Sequence, residues 1–224
     1  MKNFKKLITS SSVKSFFEEC DNNLIYYIPQ YLEFLKQLMP EIEVNYYCLS
    51  NSGDKIIALM PLAKKSVEGE GTIINSLPFY GSHGGVLFLK NIENKSQIQN
   101  SIIQHILDDN NDENLLSITF VENPFHTFDD DLMNSLGFEV IDHRLGQFKK
   151  IAPTLSSYTQ EEDLLMSFHS KTRNVVRKGL SFNPEFSEQN DEDTINWLQS
   201  VHEKSILKLN GKFKTKEVFI TLLK

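Results

Sequence analysis

The segment from Val44 to Ala63 constrains this chain most. Val44 to Ser50 and Lys55 to Ala63 are two strand-length apolar runs, separated by Asn51-Ser52-Gly53-Asp54, a composition that closes a hairpin. An antiparallel sheet is therefore committed early, and what lies on either side decides the fold class. Upstream, Ser12 to Cys20 and Pro29 to Met39 have helical spacing. In the second of these Tyr31, Phe34, Leu35 and Leu38 form the apolar face, Pro29 suits a first-turn position and Pro40 stops the helix. Downstream, Thr72 to Ser76 and Val86 to Leu89 extend the sheet, interrupted by the segment Leu77 to Gly85. Ser96 to Leu107 follows as a helix with Ile98, Ile102, Ile103 and Ile106 inward, and Leu115 to Val121 as a buried strand. Phe128 to Leu136 is a short helix closed by Gly137, and Phe138 to Ile151 returns as a long strand. Phe4 to Ile8 supplies a candidate first strand. Hairpins followed by a β-α-β crossover, whose strands should be parallel, describe an α/β chain built on a mixed sheet.

After Pro153 the pattern begins again. Glu161 to Leu180 reads as one helix, with Leu164, Leu165, Phe168, Thr172, Val175 and Val176 forming a buried stripe. Phe182 to Ser187 is a candidate strand, Asp193 to Lys208 a helix, and Thr215 to Leu223 the opening of another. The expected division is a first domain over 1–153 and an incomplete second one over 154–224, as though the polypeptide were a fragment. The long helix carries Lys171, Arg173, Arg177 and Lys178, four cations in eight residues of a chain whose net charge is -7. A positive patch on an acidic protein reads in two ways: as an anion site, with phosphate the commonest candidate, or as a solvated helix end that complements the helix dipole.

Composition narrows the setting. A hydrophobic content of 40% over 224 residues is that of a folded globular protein, and the acidic balance argues against a protein coated in nucleic acid. The two cysteines, Cys20 and Cys48, have neither metal spacing nor a disulfide framework, which favours a reducing, cytoplasmic location. Polar Thr9-Ser10-Ser11-Ser12 stands where a signal peptide needs an apolar run, and no stretch approaches the length of a membrane span. The expected protein is not an integral membrane protein.

Several residues are candidates for chemistry. Leu77 to Leu87 holds three glycines but precedes a strand, so it lacks the helix N-terminus of a phosphate-binding glycine loop; Gly84-Gly85 is better suited to a bulge or a close backbone approach. His83 within it is either an acid–base or ligand-binding residue or, more commonly for its type, the filling of a turn. Asn123-Pro124-Phe125-His126 follows the Leu115 to Val121 strand, where open α/β sheets place ligands. His126 and Glu122 are candidates there for proton transfer or polar contact, against the plainer reading of an Asn-Pro turn. Lys90-Asn91-Ile92-Glu93-Asn94-Lys95 has no glycine with which to cradle a pyrophosphate. No cluster has metal-ligand spacing, and no nucleophile elbow is present.

Three segments carry a resemblance to a known family. Leu77-Pro78-Phe79-Tyr80-Gly81-Ser82-His83-Gly84-Gly85 resembles a Leu-Pro, aromatic, Gly-Gly segment. Tyr27-Ile28-Pro29-Gln30-Tyr31-Leu32 resembles an early helix start in which Tyr31 replaces the usual Trp. Ser167 to Gly179 resembles a Lys-x-Arg-x-x-(Ile/Val)-Arg-Lys-Ala helix, with Gly179 for the alanine. These are marks of the FemAB-like branch of the GNAT superfamily, the peptidoglycan bridge-forming aminoacyltransferases and their acyltransferase relatives. The resemblance implies two GNAT-like domains, a groove for the acceptor, and acyl transfer to an amine of a nucleotide- or lipid-linked cell-envelope precursor. It implies acyl-CoA or aminoacyl-tRNA as donor, the latter bringing tRNA as a partner, and no metal. It places the acceptor's diphosphate on Lys171, Arg173 and Arg177. The acidic net charge leans toward a small donor over tRNA. Two rivals are a non-catalytic binding module for a phosphorylated precursor and an RNA-binding protein that uses the same basic helix.

Overall fold

The computed structural model describes residues 3–7, 11–21, 23–77, 83–143 and 158–223. The chain divides into two compact units, Met1–His143 with Thr215–Lys224, and Arg144–Lys214. The first contains β1 (Asn3–Leu7), α1 (Ser11–Glu19), a 3-10 turn (Ile25–Tyr27), α2 (Pro29–Leu38), β2 (Glu43–Ser50) and β3 (Ile56–Val67). It continues through β4 (Gly71–Asn75), β5 (Leu87–Phe88), α3 (Lys95–Asp109), β6 (Leu115–Thr119) and α4 (Asp130–Ser135). The second holds α5 (Tyr158–Met166), α6 (Ser170–Leu180) and α7 (Glu192–Leu207), after which α8 (Lys216–Leu222) belongs again to the first unit.

The sheet order is β1-β2-β3-β4-β6, antiparallel except for the parallel pair β4–β6, with β5 paired to β3 beside β4. The hairpin is as expected. The Asn51 side-chain carbonyl accepts the N–H groups of Gly53 (3.0 Å) and Lys55 (3.1 Å), and Asp54 takes a positive φ of 62° to complete the turn. Alternation along β2 explains the two layers. Val44, Tyr46 and Cys48 face a core shared with Val13 and Phe16 of α1 and with Tyr31, Leu32 and Leu35 of α2. Tyr47 and Leu49 face a second core shared with Ile98, Ile102, Ile103 and Ile106 of α3. Val218 of α8 is buried in the first of these cores, against α2.

One detail of register positions the candidate site. β4 pairs with Ala63–Val67 of β3, and β5 pairs with Ala58 and Leu59 along the same edge. Between these pairings, Met60 to Leu62 of β3 have no strand partner on this edge among the described residues.

The structure departs from the sequence expectations at five elements. The parallel crossover joins β4 to β6, whereas β5 lies antiparallel on β3. β6 is half exposed and not buried, with Leu116 66% exposed, because it is the outermost strand among the described residues. Phe138–His143 forms no strand: Phe138 turns inward against Phe120 (5.1 Å), and the residues after it are exposed. The remainder of that expected strand, and Ile8 of the first, lie outside the described residues. The helix expected over Glu161–Leu180 is two helices, broken at Ser167-Phe168-His169, where His169 adopts an extended ψ of 148° and caps α6. Its stripe is not buried, since Val175 is 67% exposed and α6 buries no residue. Phe182–Ser187 forms no strand; Asn183 has a positive φ there, and both phenylalanines face solvent.

Candidate functional site

The carboxyl ends of the parallel strands β4 and β6 lead to Ser76 and to residues 120–128, and the carboxyl ends of parallel strands are where an open α/β sheet places a ligand. Ser76 holds the two ends together: its N–H donates to Thr119 O (3.0 Å), and its hydroxyl accepts the N–H of Val121 (2.7 Å). Gly84 returns directly over Ser76. A Cβ at Gly84 would lie 2.8 Å from the Ser76 carbonyl oxygen and closer still to the hydroxyl, so no other residue fits. Gly85 follows with φ +86°, and its Cα faces the N–H of Asn123. The close backbone approach expected of Gly84-Gly85 is present.

Tyr27, fully buried, ties this crossing to the rest of the core. Its hydroxyl donates to the Gly84 carbonyl and meets the side chain of Asn123 (1% exposed), while its own carbonyl accepts the Tyr46 hydroxyl (2.6 Å). Burial pushes the Tyr27 phenol far above its ordinary range, so it stays a neutral donor. Asn123 also accepts the Phe125 N–H (2.9 Å) through its side chain and the His126 N–H (3.0 Å) through its carbonyl. Tyr27 and Asn123 were missed as site residues from the sequence. The available signal was that a tyrosine placed inside a core needs a partner for its hydroxyl.

Both histidines hang from this node. His83, half buried, precedes Gly84 and lies edge-on to Tyr26 at 6.0 Å. His126 closes the Asn123 turn, its ring perpendicular to Phe88 at 4.8 Å, and its Nε2 is buried without a hydrogen-bond partner. The Lys95 ammonium sits 5.6 Å from the centre of the same Phe88 ring. Burial, and secondarily Lys95, holds the His126 imidazole below its usual pKa, so it is neutral at pH 7 and one ring nitrogen is an acceptor. Glu122 is engaged structurally, since its carboxylate accepts the Phe128 N–H (2.7 Å) and fixes the loop. The glycine-free segment before α3 still turns sharply, because Asn91 and Asn94 take positive φ values of 61° and 56°.

Lys171, Arg173 and Arg177 lie in the second unit, on α6. Arg173 and Arg177 are one turn apart and share a face. Lys171 and Arg177 are exposed, whereas Arg173 is half buried and its Nη1 donates to the carbonyls of Met166 (3.0 Å) and Phe168 (2.9 Å). Among the described residues no group of His, Cys, Asp or Glu is arranged to hold a metal ion, and no helix is long and apolar enough to cross a membrane. Cys20 and Cys48 are buried and not in a disulfide, and burial raises the Cys20 thiol to about 11, so it is protonated at pH 7.

No family model and no curated protein matches the sequence. Among solved structures the chain is similar to FemX, with a TM-score of 0.61 at 15% identity, over 97% of this chain and 53% of that one. It also matches glucosamine-6-phosphate N-acetyltransferase from Arabidopsis thaliana, with a TM-score of 0.42 at 8% identity over 67% of this chain and 99% of the other. A third match is aminoglycoside 6'-N-acetyltransferase AAC(6')-IG from Acinetobacter haemolyticus, with a TM-score of 0.38 at 15% identity over 67% and 99%. Of these three, the match to FemX is the one that reaches a shared overall fold. The chain spans about half the length of FemX and shares its mixed α/β fold.

Proposed function

We propose that this chain belongs to an acyltransferase that moves an acyl or aminoacyl group onto an amine of a nucleotide- or lipid-linked cell-envelope precursor, in the cytoplasm. The observation that carries this reading is the FemX fold over 97% of the chain. The donor class is acyl-CoA or aminoacyl-tRNA, as the family resemblance implies. The acceptor's diphosphate is assigned to the cations of α6: the exposed charges of Lys171 and Arg177 and the unengaged edge of the Arg173 guanidinium. Within the first unit, His83 and His126 are proposed separately as substrate-binding residues at the carboxyl ends of β4 and β6.

In the reaction the acceptor amine attacks the acyl carbonyl. A C–N bond forms, and the thioester C–S or ester C–O bond breaks. The proton released by the amine leaves with the thiol or hydroxyl. Positioning of the amine and backbone N–H donors at the oxyanion account for the rate in this scheme. A second reading is a binding module for the acceptor without catalysis, which needs the exposed cations of α6 and no donor site.

A thermal-shift series with acetyl-CoA, aminoacyl-tRNA and UDP-linked amino sugars, followed by mass spectrometry of the acceptor, tests this. Stabilisation by donor and acceptor together with a mass gain of one acyl group is the expected result. Stabilisation by acceptor alone establishes the binding module, and salt-dependent RNA binding with neither establishes a nucleic-acid protein.

A further inference from the structure

The break between α5 and α6 leaves carbonyls at the end of α5 with no partner inside the helix, and Arg173 from the next helix supplies one. Both N–H groups of its Nη1 are donated, to Met166 O at 3.0 Å and Phe168 O at 2.9 Å. A cation at a helix C-terminus is favoured by the dipole as well as by these bonds. The guanidinium has five N–H donors, and Nε and the two of Nη2 have no hydrogen-bond partner found among the described residues. Arg177 stands one turn further along the same face, exposed.

We infer that Arg173 is a positioning residue shared between the end of α5 and a bound phosphate group, so that anion binding on α6 tightens the α5–α6 corner. This rests on the assignment of α6 to a diphosphate and adds a coupling to it. Capping fixes the plane of the guanidinium before any ligand arrives, which removes part of the ordering cost of an arginine side chain. Because the donors are aligned only when the corner is formed, an anion on the free edge binds the formed corner more tightly than the frayed one. By reciprocity the anion must then stabilise that corner. Lysine at this position keeps the charge but cannot hold two carbonyls and an anion in one plane.

The test uses inorganic pyrophosphate as probe, with sulfate at matched ionic strength as control, and reads affinity together with amide exchange at Ser167 and Phe168. In the unsubstituted chain pyrophosphate should slow exchange at these two amides about threefold or more, and sulfate should not. Arg173→Gln and Arg173→Lys should each speed exchange in the free protein, weaken pyrophosphate about tenfold and abolish the slowing. Arg177→Gln should weaken pyrophosphate similarly yet keep the slowing at saturation. Pyrophosphate that binds through Arg173 without slowing exchange overturns the coupling while leaving the anion site standing. Equal slowing by sulfate, or Arg173→Lys behaving as the unsubstituted chain, overturns it too. No pyrophosphate binding at all removes the anion site and the coupling together.

Discussion

β2 and α7 contain similar numbers of large apolar side chains and treat them in opposite ways. From Val44 to Ser50 every residue of β2 is buried, because the strand lies between two helical layers and both of its faces are covered. α7 has Ile195, Trp197, Leu198, Val201, Ile206 and Leu207 but buries none, and Trp197 is 65% exposed. The helices of the second unit are held by local devices instead. Asp191 accepts the Thr194 N–H (2.9 Å) at the start of α7, His202 Nε2 accepts the Lys214 N–H (3.0 Å), and Arg173 caps α5. Layered burial makes opening cooperative, whereas local caps let each helix fray alone.

Amide exchange should show the largest difference. Backbone N–H groups of Tyr46 to Leu49 and Leu59 to Met60 should exchange at least about a hundredfold more slowly than those of α7, a gap of about 3 kcal/mol in opening free energy. Equal protection would break the contrast.

Core substitutions come next. Ile102→Ala, at a fully buried position, should cost about 2–5 kcal/mol in denaturant unfolding, while Val175→Ala should stay within about 0.5 kcal/mol. Tyr27→Phe should cost about 1–3 kcal/mol, because the buried Gly84 carbonyl loses its hydroxyl donor and Asn123 loses one of its contacts. A value near zero would show that the crossing at Gly84 does not depend on that hydroxyl.

Asp191→Ala should remove about 1 kcal/mol or less, seen as faster exchange in the first turn of α7 with no change in the sheet.

The smallest effect is a pH dependence at His126. Its folded pKa is depressed below 6.5, so its contribution to stability is present above 6.5 and is lost as pH falls through the depressed folded value. Lys95 opposes the protonated form, and Glu122, committed to the Phe128 N–H, does not compensate it. His126→Gln should flatten the fall in melting temperature between pH 7 and 5; an unchanged slope would place the titration elsewhere.

What the sequence revealed differs between the same two regions. Many elements of the first unit could be read, because burial imposes a period, although the burial of β6 and the strand expected from Phe138 were misread. Ile98, Ile102, Ile103 and Ile106 state a helix, and Asn51-Ser52-Gly53-Asp54 states a turn. The second unit misled for the same reason: the spacing of Leu164, Phe168 and Val175 suggested one helix with one buried face, and periodicity does not record whether anything covers that face. At the break, His169 caps α6 and Arg173 donates back to Phe168 O, contacts that a hydrophobic period does not record. At the candidate site, the Gly84-Gly85 approach was visible as a pair of adjacent glycines. Tyr27 and Asn123 were not, because their roles exist only once β4 and β6 bring their carboxyl ends together. The pairing of β5 with β3 also escaped, since a two-residue strand has no measurable period.

If a FemX-type fold presents the cations of α6 to a phosphorylated amine acceptor, equilibrium binding of a UDP-linked amino sugar to the unsubstituted chain and to Arg177→Ala must tell the two proteins apart. The Arg177 side chain is exposed and makes no hydrogen bond or ion pair found among the described residues, so the substitution should weaken binding about tenfold with an unchanged melting temperature. Equal affinity in the two proteins would contradict the assignment of α6 to the acceptor.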